Sequence, residues 1–375
     1  MRRTFLVTTA TALVACAAVV AAPGTAAAQF GDIMKRAQQV RELVITEGDE
    51  IRLGQAVSEK VRARYGVVQD PAVHRYVTLV GAALATSSKR PGLPWTFIVL
   101  DTDGVNAFAA PGGFIHITRG ALGLIASEAE LSGVLAHELT HVTEKHTIDA
   151  IKKGKMVQMG ANETLGDQAV FNRLVDKTSE LVFAGFGRAE ELESDREGLK
   201  LANQVGYAPS GLGAFLQRLE ARNKAASEKQ GLFASHPEMT ERVGLLANQA
   251  AALKPQGTAT LEARYRQFIS YKAKPQIEIA GVEAGAAGLA GGSGKSDKTK
   301  DEEKKDEQPK KKGFGLGSLM KPTGSESKSA EVTGSGASRG VDAERNAKGG
   351  SNPALVVVNI QLSDINAFKK EGGLK

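Results

Sequence analysis

The run Ser127-Glu128-Ala129-Glu130-Leu131-Ser132-Gly133-Val134-Leu135-Ala136-His137-Glu138-Leu139-Thr140-His141-Val142 decides how this chain is read. Ser127 and Glu130 stand three residues apart, the spacing of a capping box, so a helix begins here. Leu131, Val134, Leu135, Leu139 and Val142 surround the two histidines, so the helix is largely buried. On a helix, residues four apart such as His137 and His141 place their Cβ atoms about 5–6 Å apart on one face. Two imidazoles can then converge on one ion, and Zn²⁺ takes imidazole nitrogen at about 2.0–2.1 Å. Glu138 points away from that ion but reaches a water on it, which is the place of a general base. In a chain of this length the pattern arises by chance on the order of once in a hundred. The bland alternative is a solvated helix with two surface histidines. Burial opposes it, because buried histidines need partners.

A catalytic zinc needs a third protein ligand and an open position. The extended motif with a third histidine would need Gly three residues after His141 and His six residues after it. Glu144 and Thr147 stand there instead. His146 lies five residues beyond His141, on a different face, and reads as a core or surface histidine. The run Glu190-Glu191-Leu192-Glu193-Ser194-Asp195 offers the better donors. Glu191 and Asp195 share a helix face, so a second helix packed on the first could bring Glu191 to the metal and Asp195 to the outer nitrogen of a ligand imidazole, fixing its orientation. Glu193 competes for the ligand role. It projects roughly 200° around the helix from Glu191, so only one of the two can serve.

With both motifs in view, residues 31–248 resemble the gluzincin peptidases that include the CaaX prenyl protease, HtpX and periplasmic outer-membrane-assembly proteases. The resemblance is carried by Asn106-Ala107-Phe108-Ala109-Ala110-Pro111-Gly112-Gly113 ahead of the strand from Phe114 to Thr118, then by His137 to His141. Glu191-Leu192-Glu193-Ser194-Asp195-Arg196 and Ser235-His236-Pro237 complete it. It implies a zincin-like fold, one zinc per chain, and the first acid of ExxxD, here Glu191, as the ligand. No later apolar run is long enough to span a membrane, which aligns the chain with the soluble periplasmic branch.

The element pattern gives an α+β, mostly helical domain over residues 29–275, with a small sheet whose edge strand borders the active site. Helices are expected over residues 29–66, 71–87, 122–146, 172–205, 210–224, 237–253 and 261–271. Trp95 to Leu100 alternates like a strand, and residues 106–118 form a second extended region interrupted by Pro111-Gly112-Gly113. Substrate is expected in extended form along it by strand addition, with Phe108, Gly112, Gly113 and Phe114 as binding residues. An ordinary hairpin turn is the alternative for the glycines, and both readings can hold. His236, at a rigid junction before Pro237, has three readings: a donor to the oxyanion, a blocking ligand on the open zinc position, or a helix cap. No Arg or Tyr near the two motifs offers itself for the oxyanion.

The N-terminus reads as an export signal. Arg2-Arg3 precede an uncharged stretch over residues 4–22, and Ala26-Ala27-Ala28 is a small-residue cleavage site before Gln29. Leu13-Val14-Ala15-Cys16 is a rival lipobox, which would make Cys16 an outer-membrane lipid anchor. Cleavage before Gln29 leaves a periplasmic or secreted chain without cysteine, so without disulfides. Its net charge falls from +6 to about +4, too little to imply nucleic acid. Residues 281–350 are Gly-, Ser- and Lys-rich and read as a disordered linker. Lys310-Lys311-Lys312 offers contact with an anionic membrane surface, although a solvated tail explains it as well. Within the short C-terminal segment 351–375, residues 353–362 are a strand candidate and 363–370 one or two helical turns. Deleting residues 281–375 is expected to leave a folded, zinc-loaded domain.

Together these features point to an exported zinc endopeptidase acting on unfolded or unassembled envelope polypeptides in quality control. A chaperone or assembly factor with a latent zinc site, and a zinc-stabilised scaffold, are the other readings. Glu138 argues against the scaffold, since a structural zinc needs no base.

Overall fold

The computed structural model describes residues 45–153, 166–225, 236, 239–274 and 352–375. The export signal and the linker lie outside the described residues, as does the part of the first expected helix up to residue 44. Helices α1 (Glu47–Tyr65) and α2 (Pro71–Ala85) precede strands β1 (Thr96–Leu100), β2 (Ala107–Ala110) and β3 (Phe114–Thr118). A short α3 (Arg119–Leu124) leads into α4 (Glu128–Thr143), α5 (His146–Lys153), α6 (Gln168–Ala184) and α7 (Arg188–Val205). Helices α8 (Gly211–Ala225), α9 (Met239–Ala252) and α10 (Glu262–Phe268) follow, and α11 (Leu362–Glu371) comes last. This is the mostly helical α+β architecture read from the sequence. Among the described residues no helix is long and apolar enough to cross a membrane.

Two expected helices are each divided. The stretch 172–205 breaks where Gly185, at φ 80°, ends α6 and Gly187 caps α7. The stretch 122–146 breaks at Ile125–Ser127 and again at Lys145, at φ 60°. The capping box at Ser127 is formed on one side only. Ser127 accepts from the Glu130 amide at 3.2 Å, but the Glu130 carboxylate accepts from Ala126 rather than from Ser127.

The sheet has the order β1-β3-β2. β1 runs parallel to β3, with Thr96 opposite Phe114, and β2 runs antiparallel to it, with Phe108 opposite His116. The expected extended region is therefore two strands, and β3 is paired on both sides. Of these two strands only β2 lies at an edge of the sheet, and it packs against α4. All four residues of β2 are buried, and Phe183 of α6 packs edge-on against Phe108 with centroids 5.6 Å apart.

Helix α4 runs through the core, buried from Glu128 to Val142. Its closest partner is α7, and one glycine permits that approach. A Cβ on Gly198 would lie 2.8 Å from the His137 amide nitrogen. Gly198 is seven residues after Glu191 and three after Asp195, so the face that touches α4 is the acidic one.

The C-terminal segment departs from expectation. Residues 352–361 are extended but join no strand; the Asn352 carbonyl accepts from Val67 at 2.6 Å. Helix α11 then packs on α2 and buries Ile365 and Phe368. Arg264 donates to the Phe368 carbonyl at 2.9 Å and lies 4.1 Å above its ring. The same guanidinium holds Glu128, fully buried in the first turn of α4, which also accepts from Tyr76 at 2.8 Å and Tyr207 at 2.7 Å. The tail is thus part of the packing around the start of α4, so its deletion is expected to cost stability. Two buried apolar side chains are worth about 1.5–3 kcal/mol each. Removing residues 352–375 should lower the melting temperature by on the order of 10 °C. An unchanged thermal melt would make the tail dispensable.

Candidate metal centre

His137 and His141 leave α4 on one face, and their Nε2 atoms stand 3.1 Å apart. Glu191 of α7 faces both. One of its oxygens is 3.5 Å from His137 Nε2 and the other 3.5 Å from His141 Nε2. His236 adds a fourth donor, with Nδ1 2.9 Å from both Glu191 oxygens. All four residues are buried, and their donor atoms lie within 4.8 Å of one another.

These spacings test the fit of an ion. Bonds of about 2.0–2.1 Å in a tetrahedron hold their donors roughly 3.3 Å apart. The 3.1 and 3.5 Å separations match that edge. Two imidazole nitrogens facing each other in a buried site can share at most one proton, and a cation satisfies both. The set His137, His141, Glu191 and His236 therefore fits a single small cation.

The surrounding residues orient this set. Asp195 Oδ1 lies 3.0 Å from His137 Nδ1, the outer nitrogen. His146 performs the same service for His141, with the two Nδ1 atoms 3.0 Å apart. Glu193 does not reach the cluster; it is half-exposed and sits 3.3 Å from His146 Nε2. Phe186 stacks on the His141 ring at 4.2 Å. Arg242 of α9 is buried against both acids, with two 2.7 Å bonds to Asp195 and a 2.8 Å contact to Glu191.

Arg242 is the residue that sequence reasoning missed. Its signal was an arginine four residues before the buried Leu246, at a position the apolar period of its helix assigns to the core. His146 was read as bland although it touches a member of the cluster.

The charges follow from this packing. Burial alone would lower the His137 pKa, but Asp195 and Glu191 raise it to about 9. The carboxylates that hold a proton there would equally hold a cation, so the two compete. Burial and the neighbouring His137 keep His141 neutral. Burial would raise Glu191, yet His236 and His137 hold it well below the usual carboxylate range. Glu138 is buried beside the cluster, 3.7 Å from His236 Nε2. Burial pushes its carboxyl up, against the pull of His236 and His137.

Of the other expected site residues, Phe108 and Phe114 are buried in the sheet and Gly112 packs on α1. A Cβ on Gly112 would lie 2.5 Å from Ile51 Cα, and its amide donates to Glu50 at 3.1 Å. Gly113, at φ 102°, faces Trp95. The close backbone approach that these glycines allow is made by α1 and the Trp95 segment.

A buried donor cluster on packed helices, beside a small sheet, is an arrangement that could hold one metal ion. Residues 71–250 match the model of peptidase family M48. The beta-barrel assembly-enhancing protease of Yersinia pestis is 25% identical over 56% of this chain and 46% of its own length. The mitochondrial metalloendopeptidase OMA1 of Arabidopsis thaliana is 31% identical over 44% of this chain and 33% of its own. The metalloprotease YcaL of Escherichia coli is 26% identical over 47% and 70%. The chain spans about half the length of the beta-barrel assembly-enhancing proteases it matches.

Proposed function

We propose that this protein is an exported zinc-dependent endopeptidase that hydrolyses unfolded or unassembled envelope polypeptides in quality control. The observation that carries the reading is the buried quartet of His137, His141, Glu191 and His236 with Glu138 beside it. Export rests on the N-terminal pattern at Arg2-Arg3 and Ala26-Ala27-Ala28. Envelope substrates rest on the relatives named for beta-barrel assembly.

One zinc would be held by His137, His141 and Glu191, with Asp195 orienting His137. A zinc bound there would supply Lewis acidity toward a carbonyl and a water. Glu138 takes the proton of the attacking water and hands it to the leaving amine. Its raised pKa suits both transfers, since a base held nearer neutrality also serves as the acid. Arg242 is bonded twice to Asp195 and lies against Glu191, so it holds the ligands in place. An extended substrate adds to β2, once the elements that bury that strand move away.

His236 is the fourth donor at rest. This position supports a second reading, in which the protein is an assembly factor with a latent site. The test is metal content across a variant series. Wild type should hold one Zn²⁺. Glu191→Ala should lose it, Glu193→Ala should keep it, and His236→Ala should keep it with raised turnover. Zinc lost from Glu193→Ala but kept by Glu191→Ala would reverse the ligand assignment. A fall in turnover of His236→Ala by about 10²-fold, with zinc retained, would make His236 an oxyanion donor instead.

A further inference from the structure

Helices α4 and α7 pack antiparallel, and the two ends of the pair have different partners. The helices meet where Gly198 backs onto the His137 amide. Four residues beyond His137 and seven before Gly198 stand His141 and Glu191, at the metal end. Nine residues before His137 and nine beyond Gly198 stand Glu128 and Tyr207, at the opposite end, where Tyr207 donates to Glu128 at 2.7 Å. That end is tied by more than one bond. The Ala129 amide donates to the Thr260 carbonyl at 3.1 Å and the Ala259 amide to the Gly206 carbonyl at 3.2 Å, so one segment holds both helices. Tyr76 and Arg264 also bond to Glu128, which is fully buried.

The C-terminal segment is seated on that same end. Arg264 reaches from Glu128 to the Phe368 carbonyl, and a Cβ on Gly372 would lie 2.4 Å from its guanidinium. The Lys375 amide donates at 2.7 Å to the carbonyl of Val205, in the last turn of α7, where helix carbonyls lack partners within the helix. A Cβ on Gly206 would lie 3.2 Å from Leu374 Cα. The tail therefore touches α7 directly and α4 through one arginine. At the metal end, His141 and Glu191 lie roughly 6–10 Å along their helices from the Gly198 contact. A relative rotation of about 4° about that contact would shift them by about 0.5 Å, the tolerance of a binding constellation. Close-packed interiors transmit a displacement of this size.

We infer that residues 352–375 are a positioning element of the metal centre: seated, they lock the far end of the α4–α7 pair and so hold Glu191 at the distance from His137 and His141 that one cation requires. The inference rests on the zinc reading of those residues and adds what controls the site. Coupling between two sites is reciprocal, so zinc in turn fastens the tail, and its usual size is about 5–150-fold.

The experiment uses the full-length protein in zinc competition with a chromophoric chelator. Phe368→Ala, which unseats α11, should bind Zn²⁺ at least about 5-fold more weakly than wild type. Phe368→Leu, which keeps an apolar side chain in the seat, should recover most of that loss. Tyr207→Phe keeps the ring, removes only the bond to Glu128, and should weaken zinc in the same direction. Val57→Ala in α1, buried outside this network, controls for stability and should leave zinc affinity at the wild-type value. The reciprocal arm follows amide hydrogen exchange by mass spectrometry on wild type. Saturating zinc should slow exchange over residues 365–371 by a similar factor and leave residues 53–61 of α1 unchanged. Equal zinc affinity in folded Phe368→Ala and wild type overturns the inference, as does exchange in the tail that ignores zinc. If Phe368→Ala does not fold, Tyr207→Phe decides, and unchanged affinity there overturns it. A loss in Val57→Ala as large as in Phe368→Ala would show general loosening and overturn it too. A wild type that binds no zinc brings down the zinc reading itself, and the inference with it.

Discussion

A Glu138→Gln protein should fold, hold its zinc and lose at least about 10²-fold of its peptide hydrolysis, the usual worth of a positioned base. The exchange keeps the shape of the side chain and removes its capacity to take a proton. Glu138 is buried on the fully packed helix α4, so the amide meets the same neighbours as the carboxylate. It is not a member of the donor quartet, and so zinc content should not change. The measurement is casein cleavage beside metal analysis on the same preparation. Undiminished cleavage would remove Glu138 from the mechanism. Loss of zinc would mean that it supports the metal rather than the reaction.

Arg242→Met should produce the largest loss of stability among changes that leave the four donors intact. The guanidinium is buried between Asp195 and Glu191, and Asp195 in turn touches His137. Removing one partner of a buried charge pair costs about 3–5 kcal/mol, because the remaining charge is left uncompensated. Disturbing the partners of metal ligands typically costs 10–100-fold in metal affinity. Urea unfolding and zinc competition with a chelator read the two effects separately. Arg242→Lys should recover only part of either, since an ammonium cannot make the paired bonds to Asp195. A Met variant with wild-type unfolding and zinc affinity would show that Arg242 has no positioning role.

The sequence carried the core of this arrangement because helical spacing is a local code. Four-residue intervals put His137 beside His141 and Glu191 beside Asp195, and the apolar residues between them required both helices to be buried. What stayed hidden is tertiary. Arg242 was visible only as an arginine on an apolar face, and nothing local says which acid it meets. His146 lies on a different helix, after the turn at Lys145, and that break reverses the argument that it faces away. The two glycines before Phe114 looked like room for a substrate, yet the backbone that approaches Gly112 belongs to α1. The tail was judged by the composition of the segment preceding it. Its few apolar residues suffice because Phe368 meets an arginine already committed to Glu128.

The docked tail has a consequence for limited proteolysis. Ala273 donates to the Gly123 carbonyl at 3.2 Å and Asn352 accepts from Val67, so the chain is anchored to the domain on either side of residues 275–351. A single cut between those two anchors severs the chain and leaves both anchors in place. While the chain is intact, α11 meets its seat at an effective concentration fixed by the connection. After a cut, the seat holds only a separate peptide, and its occupancy follows the total protein concentration. A nicked preparation would then look native when concentrated and would lose its C-terminal fragment, with the support that fragment gives to Arg264 and Glu128, on dilution alone.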